Sequence, residues 1–183
     1  MRGSSHQTTT LYIAQQFGDE AIDLVYADLP ERDRELLRIV RATDWCPLRP
    51  YADYMVAADK RLGKGNLDLC RDIGFASSRW QAAELRKDAL RTHAPRKVIA
   101  GIQKAWEKLY DRGKWEPDWH ADTAVQMRLC EFDPVSPAVC ARFAGFFRGA
   151  LDLAGAHIPD VTHVACVTQG APTCDFLLVW TPR

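Results

Sequence analysis

Apolar side chains recur at helical spacing from residue 11 to about residue 109. One such run consists of Tyr51, Tyr54, Met55 and Ala58. The pattern is interrupted wherever prolines and glycines gather, at Pro30, 46–50, 63–65 and 93–95. The first half of the chain is therefore predicted to form five or six helices of modest length.

The spacing of apolar residues changes after Gly113. In the segment 121–132 the half-buried positions alternate, as a strand requires: Thr123, Val125, Met127 and Leu129. The segments 161–168 and 174–181 are also predicted to be strands, and they flank a turn at 169–172. These segments predict a sheet in the second half of the chain.

A long helix is predicted between these strands. Ser136 suits its cap, Pro137 its first turn and Gly155 its end. The order of elements predicts an α+β fold, in which a helical N-terminal half packs on a short antiparallel sheet with one long helix between strands.

Composition fits one soluble domain. The chain has 183 residues, 47% of them hydrophobic, and its 24 basic residues balance 24 acidic ones, so we expect no nucleic-acid partner. It contains no apolar run of about 20 residues and no signal peptide, which favours a cytoplasmic protein without a membrane span. Residues 1–8 are small and polar, resembling an expression leader, and are expected to be disordered. Residues 9–183 are predicted to form a single domain.

Four potential metal ligands lie close together in the last third of the sequence. Cys140 is near the predicted helix start, whereas His163, Cys166 and Cys174 flank the predicted turn. Disulfides are disfavoured in the cytosol, and a closed set of three cysteines and one histidine is typical of structural zinc. This predicts a structural Zn²⁺ cofactor bound by these four residues.

Two considerations stand against that zinc site. Cysteines are also common as small buried apolar residues. In a regular strand His163 and Cys166 would point to opposite faces, so the site requires a bulge or a strand end between them. Cys46, Cys70 and Cys130 lie apart from the group, and Cys70 is expected to be a buried structural thiol.

The stretch from Ser136 to Trp180 resembles the vinyl-reductase-type small-molecule-binding domain. The shared features are a helix cysteine, glycines at intervals along the helix, and two hairpin cysteines separated by seven residues. That family occurs in phenol- and xylene-sensing modules of bacterial activators and is related to TRAPP subunits. The resemblance implies a TRAPP and NO-signalling type of ligand-binding fold, and zinc held by Cys140, Cys166 and Cys174, with His163 where sensory members have a carboxylate.

The resemblance also implies an apolar or aromatic ligand between the helical half and the sheet. His93 and Trp119 match the residues that sensory members place around such a ligand. Without the resemblance, His93 would be read as a residue at a helix end and Trp119 as part of the core. We expect His93 to anchor the ligand and Trp119 to form a wall of the pocket.

Two functions are compatible with these features. The first is a non-enzymatic sensor or carrier that binds a small molecule and signals through a partner protein. The second is a TRAPP-like interaction or dimerisation module without a physiological small ligand. A homodimer is expected in either case, because apolar helical faces remain to be covered. The sequence contains no phosphate loop, serine-hydrolase elbow or zinc-peptidase motif, so no enzymatic activity is expected.

Overall fold

The computed structural model describes residues 1–84, 94–133 and 135–181. Within these ranges the helices are α1 (Ser4–Phe17), α2 (Asp19–Ala27), α3 (Glu31–Ile39), α4 (Leu48–Leu62), α5 (Asp68–Glu84), α6 (Pro95–Leu109) and α7 (Pro137–Leu153). The strands are β1 (Lys114–Ala121), β2 (Ala124–Cys130), β3 (His157–Ala165) and β4 (Cys174–Thr181). The predicted α+β fold is confirmed. No helix in the described ranges is long and apolar enough to cross a membrane.

The four strands form one antiparallel sheet in the order β1-β2-β4-β3. The central strand β2 shows the predicted alternation, with Val125, Met127 and Leu129 buried. The edge strand β1 was not predicted. Most of its side chains are at least partly exposed and Trp115 is its one buried residue, so it lacks an alternating apolar pattern.

Helix α7 lies between α5 and the sheet and is buried along most of its length. Its backbone touches that of α5, because a Cβ atom at Gly145 would lie 1.9 Å from the carbonyl oxygen of Arg71. A Cβ atom at Gly74 would likewise lie 2.0 Å from the carbonyl oxygen of Arg142. Only glycine permits this approach, so these two positions fix the distance between the two helices.

The opening residues belong to the folded core. Residues 1–8, expected to be a disordered leader, contain the start of α1, and Met1, Ser5 and His6 are buried. The expectation fails because the helix is held by polar contacts, which the apolar pattern does not reveal. One of them joins the hydroxyl groups of Thr9 and Tyr51 at 3.0 Å.

His6 should make the stability of the fold depend on pH. Its ring is 3% exposed, and its Nε2 atom lies 3.1 Å from the hydroxyl of Tyr26. Burial lowers the pKa of His6 from 6.5 to about 4. The unfolded chain therefore binds this proton at a higher pH than the folded protein does. The free energy of unfolding should therefore be highest above pH 6.5 and should fall by up to about 3 kcal/mol as the pH is lowered towards 4.

Urea unfolding between pH 7 and pH 4.5 tests this expectation. The His6→Gln variant should lose less stability over this range than the parent does, although it is less stable at pH 7. His120→Gln, which changes an exposed histidine on β1, serves as the control and should follow the parent. Equal pH dependence in the parent and in His6→Gln would show that His6 is not the titrating group.

Candidate functional site

The structure brings all four predicted metal ligands together. The donor atoms of Cys140, His163, Cys166 and Cys174 all lie within 4.8 Å of one another. The sulfur of Cys174 is 3.7 Å from that of Cys140 and 3.8 Å from that of Cys166. We call these four residues the Cys/His cluster. Three sulfurs and one imidazole at these separations form a cage of soft donors.

Three elements position the cluster. Cys140 lies in the first turn of α7, which has Pro137 at its first position, and Cys174 begins β4. The pairing of β3 with β4 shifts register between His163 and Ala165. This irregularity supplies the bulge that the sequence required, and Cys166 follows immediately after the strand. A short 3-10 turn at Val167–Gln169 then returns the chain to β4.

Hydrogen bonds distribute the protons of the cluster unevenly. The sulfur of Cys174 accepts from the thiol of Cys140 and from the backbone N–H of Val167, at 3.5 Å for the latter. These bonds lower the pKa of Cys174, the one from Cys140 most strongly. The hydrogen bond to Cys174, together with burial, raises the pKa of Cys140. The pair therefore favours a thiol at Cys140 beside a thiolate at Cys174, and the thiolate is the form of cysteine that binds metal.

The histidine of the cluster is held in place by stacking. The ring of His163 lies parallel to that of Phe176, with centroids 4.5 Å apart and planes 9° from parallel. Its Nε2 atom is buried, and no hydrogen-bond partner for it occurs in the described part of the chain. An unpartnered buried nitrogen carries a desolvation cost, which a bound metal ion would remove.

The other cysteines have no part in the cluster. Cys70 is fully buried and its thiol donates to the carbonyl of Met55 at 3.6 Å. Burial raises the pKa of Cys70 to about 12, which is typical of an inert structural thiol. Cys130 is half-buried on β2, and Cys46 precedes α4.

The structure describes only one residue of the predicted ligand-binding pair. His93 lies outside the described residues. Trp119 lies on β1, where its ring packs edge-on against Trp180, with centroids 6.3 Å apart. The guanidinium of Arg96 lies 4.1 Å from the centre of the same ring. Their joint role in ligand binding stays a prediction.

A second candidate site, which the sequence did not predict, lies between α6, α7 and β1. It is a cavity of about 50 Å³. Its aromatic walls include Trp106, Tyr110, Trp115, Phe143 and Phe147. We call these aromatic side chains the aromatic core. Trp106 lies in its middle and stacks on Tyr110, with ring centroids 3.9 Å apart. The spacing of Ile102, Trp106 and Tyr110 at four-residue intervals is the one sequence signal that pointed here.

Two residues that line the cavity, Arg142 and Tyr110, have buried polar groups without full hydrogen bonding. Arg142 is 3% exposed, and its one hydrogen bond in the described ranges runs from Nη2 to the hydroxyl of Ser77 at 3.3 Å. Its Nε atom and the hydroxyl of Tyr110 are buried without a hydrogen-bond partner there. Across the described residues, no carboxylate forms an ion pair with Arg142.

Comparison with known proteins identifies similar solved structures. An H-NOX protein from S. oneidensis in the Fe(II)NO ligation state matches with a TM-score of 0.74 and 15% identity, covering 99% of each chain. The H-NOX domain from Shewanella oneidensis in the Fe(II)CO ligation state matches with a TM-score of 0.75 and 14% identity, covering 100% of each chain. A structure concerning heme distortion in the H-NOX family has a TM-score of 0.67 and 14% identity, over 100% of this chain and 97% of that one. No family model and no curated protein matches the sequence.

These comparisons overturn the prediction of zinc as the cofactor. The similar proteins are described with Fe(II) or heme, not with zinc. The prediction relied on the residue types and on the ligand set of a family to which the structure does not point, and neither identifies the metal. The Cys/His cluster itself is nevertheless formed, as described above.

The cavity beside α6 does not fit heme either. Heme iron is held by a histidine, cysteine, methionine or tyrosine side chain. The buried face of α6 consists of residues that cannot bind iron: Val98, Ile99, Ile102 and Trp106. The adjoining cavity measures about 50 Å³, whereas pockets for drug-sized ligands measure about 300–1,000 Å³. A porphyrin is larger than this cavity, whose walls are mostly aromatic side chains.

The resemblance to the vinyl-reductase-type and TRAPP-related domains is also wrong. It relied on one helix and one hairpin, whereas the similar solved structures match along nearly the whole chain. Those structures share the helical first half, the four-stranded sheet and the helix between its strands. At identities of 14–15% the likeness concerns the arrangement of the backbone. This chain has the fold of the H-NOX proteins.

Proposed function

We propose that this chain is a non-enzymatic sensor domain that binds a small molecule and passes the signal to a partner protein. The observation that carries the proposal is the likeness to complete H-NOX structures over 99% of both chains. Two of those structures are described with NO or CO at Fe(II), so the fold can serve small-molecule binding. The aromatic cavity between α6, α7 and β1 supports an interior ligand in this chain.

We propose that the ligand binds directly in the aromatic cavity and not to a heme group. Its walls are predominantly apolar and aromatic, as the walls of ligand pockets usually are. An apolar or aromatic ligand anchored by His93 and walled by Trp119 stays a prediction, as does the homodimer. The interaction module without a ligand is the competing function.

We also propose that the Cys/His cluster binds one thiophilic metal ion with a structural role. The four donor atoms come from α7 and from the β3–β4 hairpin, so a bound ion would join the long helix to the sheet. The set contains four protein donors, which suits a closed site. The ion would contribute to folding and to the rigidity of the sheet, on which the aromatic core rests.

Native mass spectrometry and a ligand screen test the sensor proposal. The freshly purified full chain is first weighed for a retained small molecule. It is then screened by thermal shift against small acids, phenols, alkylbenzenes and fatty acids. Binding of a hit should change amide hydrogen exchange at the surface of the helices, because a sensor must alter its partner contacts. A chain that retains nothing and binds no compound would favour the interaction module instead.

A further inference from the structure

We propose that Thr168 is a positioning residue of the metal site, whose hydroxyl donates a hydrogen bond to the Cys166 thiolate and thereby raises the affinity of the Cys/His cluster for metal. This inference rests on the proposed metal-binding role of the cluster and adds a residue outside its four ligands. Thr168 does not bind the metal itself. The aromatic cavity and the predicted residues His93 and Trp119 have no part in it.

The first argument is the contact between Thr168 and Cys166. The hydroxyl oxygen of Thr168 lies 3.0 Å from the sulfur of Cys166, so one of the two groups donates to the other. A cysteine that binds metal is a thiolate and has no proton to donate. In the metal-bound state the hydroxyl is therefore the donor and the sulfur the acceptor.

The second argument is the charge of the metal-bound site. Three thiolates and one neutral imidazole carry one negative charge more than a divalent ion neutralises. Cys140, Cys166 and Cys174 are each at most 4% exposed, so water can do little to stabilise this excess charge. A hydrogen bond to a charged acceptor is about twice as strong as one between neutral groups. Donors outside the four ligands should therefore contribute to the free energy of metal binding.

The third argument is the small number of such donors. In the described part of the chain, the groups outside the cluster that donate to its sulfurs are the hydroxyl of Thr168 and the backbone N–H of Val167. The N–H of Val167 lies 3.5 Å from the sulfur of Cys174, and a side-chain substitution does not remove it. The bonds between the cysteines themselves need thiol protons, which metal binding displaces. Thr168 is therefore the side chain through which this effect can be tested.

The turn after β3 holds Thr168 beside the cluster. The carbonyl oxygen of Cys166 accepts from the backbone N–H of Gln169 at 3.0 Å and from that of Ala171 at 3.1 Å. Gly170 ends the turn with a φ of +90°, a left-handed conformation that glycine adopts without strain. Thr168 itself is exposed. A substitution there can therefore remove the hydrogen bond without opening a cavity in the core.

Cobalt titration of the full chain tests the proposal. Thr168→Val keeps the size and branching of the side chain but removes the hydroxyl, so it should bind Co²⁺ about 10-fold more weakly than the parent. Its thiolate-to-cobalt charge-transfer band should also shift to lower energy, because a sulfur that has lost a hydrogen bond donates electron density to the metal more readily. Thr168→Ser keeps a hydroxyl and should restore both the affinity and the position of the band.

Thr173→Val is the matched control. Thr173 lies in the same loop, but its hydroxyl donates to the carboxylate of Asp175 at 2.6 Å. This variant should show the affinity and the band of the parent. An unchanged Co²⁺ affinity in Thr168→Val would overturn the inference. So would a weaker affinity without a band shift, or a loss that Thr168→Ser does not restore, because either result would indicate a general disturbance of the loop.

The titration also separates this inference from the metal site itself. If the parent and Thr168→Val bind Co²⁺ equally well, the metal site stands and the role of Thr168 is lost. If the parent binds no Co²⁺, both proposals fail.

Discussion

The parent chain should bind one Co²⁺ ion, and Cys174→Ser should bind it at least about 100-fold more weakly. Cys174 is the centre of the Cys/His cluster, since its sulfur lies within 3.8 Å of the sulfurs of both Cys140 and Cys166. Serine is close to cysteine in size but is a much poorer ligand for soft metals. Thiolate-to-cobalt charge-transfer absorption, titrated to saturation, gives both stoichiometry and affinity.

Metal removal should also destabilise the fold. A ligand that binds only the folded state at 1,000 times its dissociation constant contributes about 4 kcal/mol. A chelator should therefore lower the free energy of unfolding of the Co²⁺-loaded parent by about that amount, and that of Cys174→Ser by at most about 1.4 kcal/mol at the same metal concentration. Cys130→Ser, which changes a half-buried cysteine outside the cluster, is the control and should retain the ion. Cobalt bound equally by Cys174→Ser would refute the four-residue site.

Trp106→Ala should lower the free energy of unfolding by about 3–5 kcal/mol, as expected for the loss of a large buried aromatic side chain. Trp106 is 6% exposed and stacks on Tyr110. Its ring also meets Trp115, Phe132 and Phe143 edge-on, at centroid distances of 5.5, 5.1 and 5.3 Å respectively. The alanine variant would lose these contacts and open a cavity in the aromatic core.

A matched tryptophan provides the control for that variant. Trp45 is 47% exposed and contacts the guanidinium of Arg2 at 4.2 Å. Trp45→Ala should cost at most about 1 kcal/mol. Denaturant unfolding of both variants and the parent gives the comparison. A Trp106→Ala cost as small as that of Trp45→Ala would mean that the aromatic core is not what holds α6 against α7.

The strongly periodic elements were predictable from the sequence, whereas the irregular ones were not. The central strand β2 was found because its apolar spacing is regular, and the helix α7 because Ser136, Pro137 and Gly155 mark its ends. The edge strand β1 was missed, because it buries Trp115 alone and contains Pro117. The start of helix α1 was missed for a related reason: a residue that secures it, Thr9, is polar.

The two candidate sites differ in the same way. The Cys/His cluster was predictable because each ligand is a rare residue type and three of them lie close together in sequence. The sequence showed that a backbone irregularity was required between His163 and Cys166, but it did not show at which residue. The burial of Arg142 could not be predicted, because an arginine on a helix is usually exposed to solvent. Its burial follows from the contact of α7 with α5, which sequence spacing does not encode.

That contact also determines which parts of the molecule are free to move. Because the backbones of α5 and α7 touch at Gly74 and Gly145, neither helix has room to move closer to the other. A ligand that enters the aromatic cavity therefore cannot displace α7 towards α5. The displacement has to be taken up on the opposite wall, by α6 and by β1, which directly follows it in the chain. We therefore expect a partner protein that responds to ligand binding in the cavity to contact the outer surface of α6.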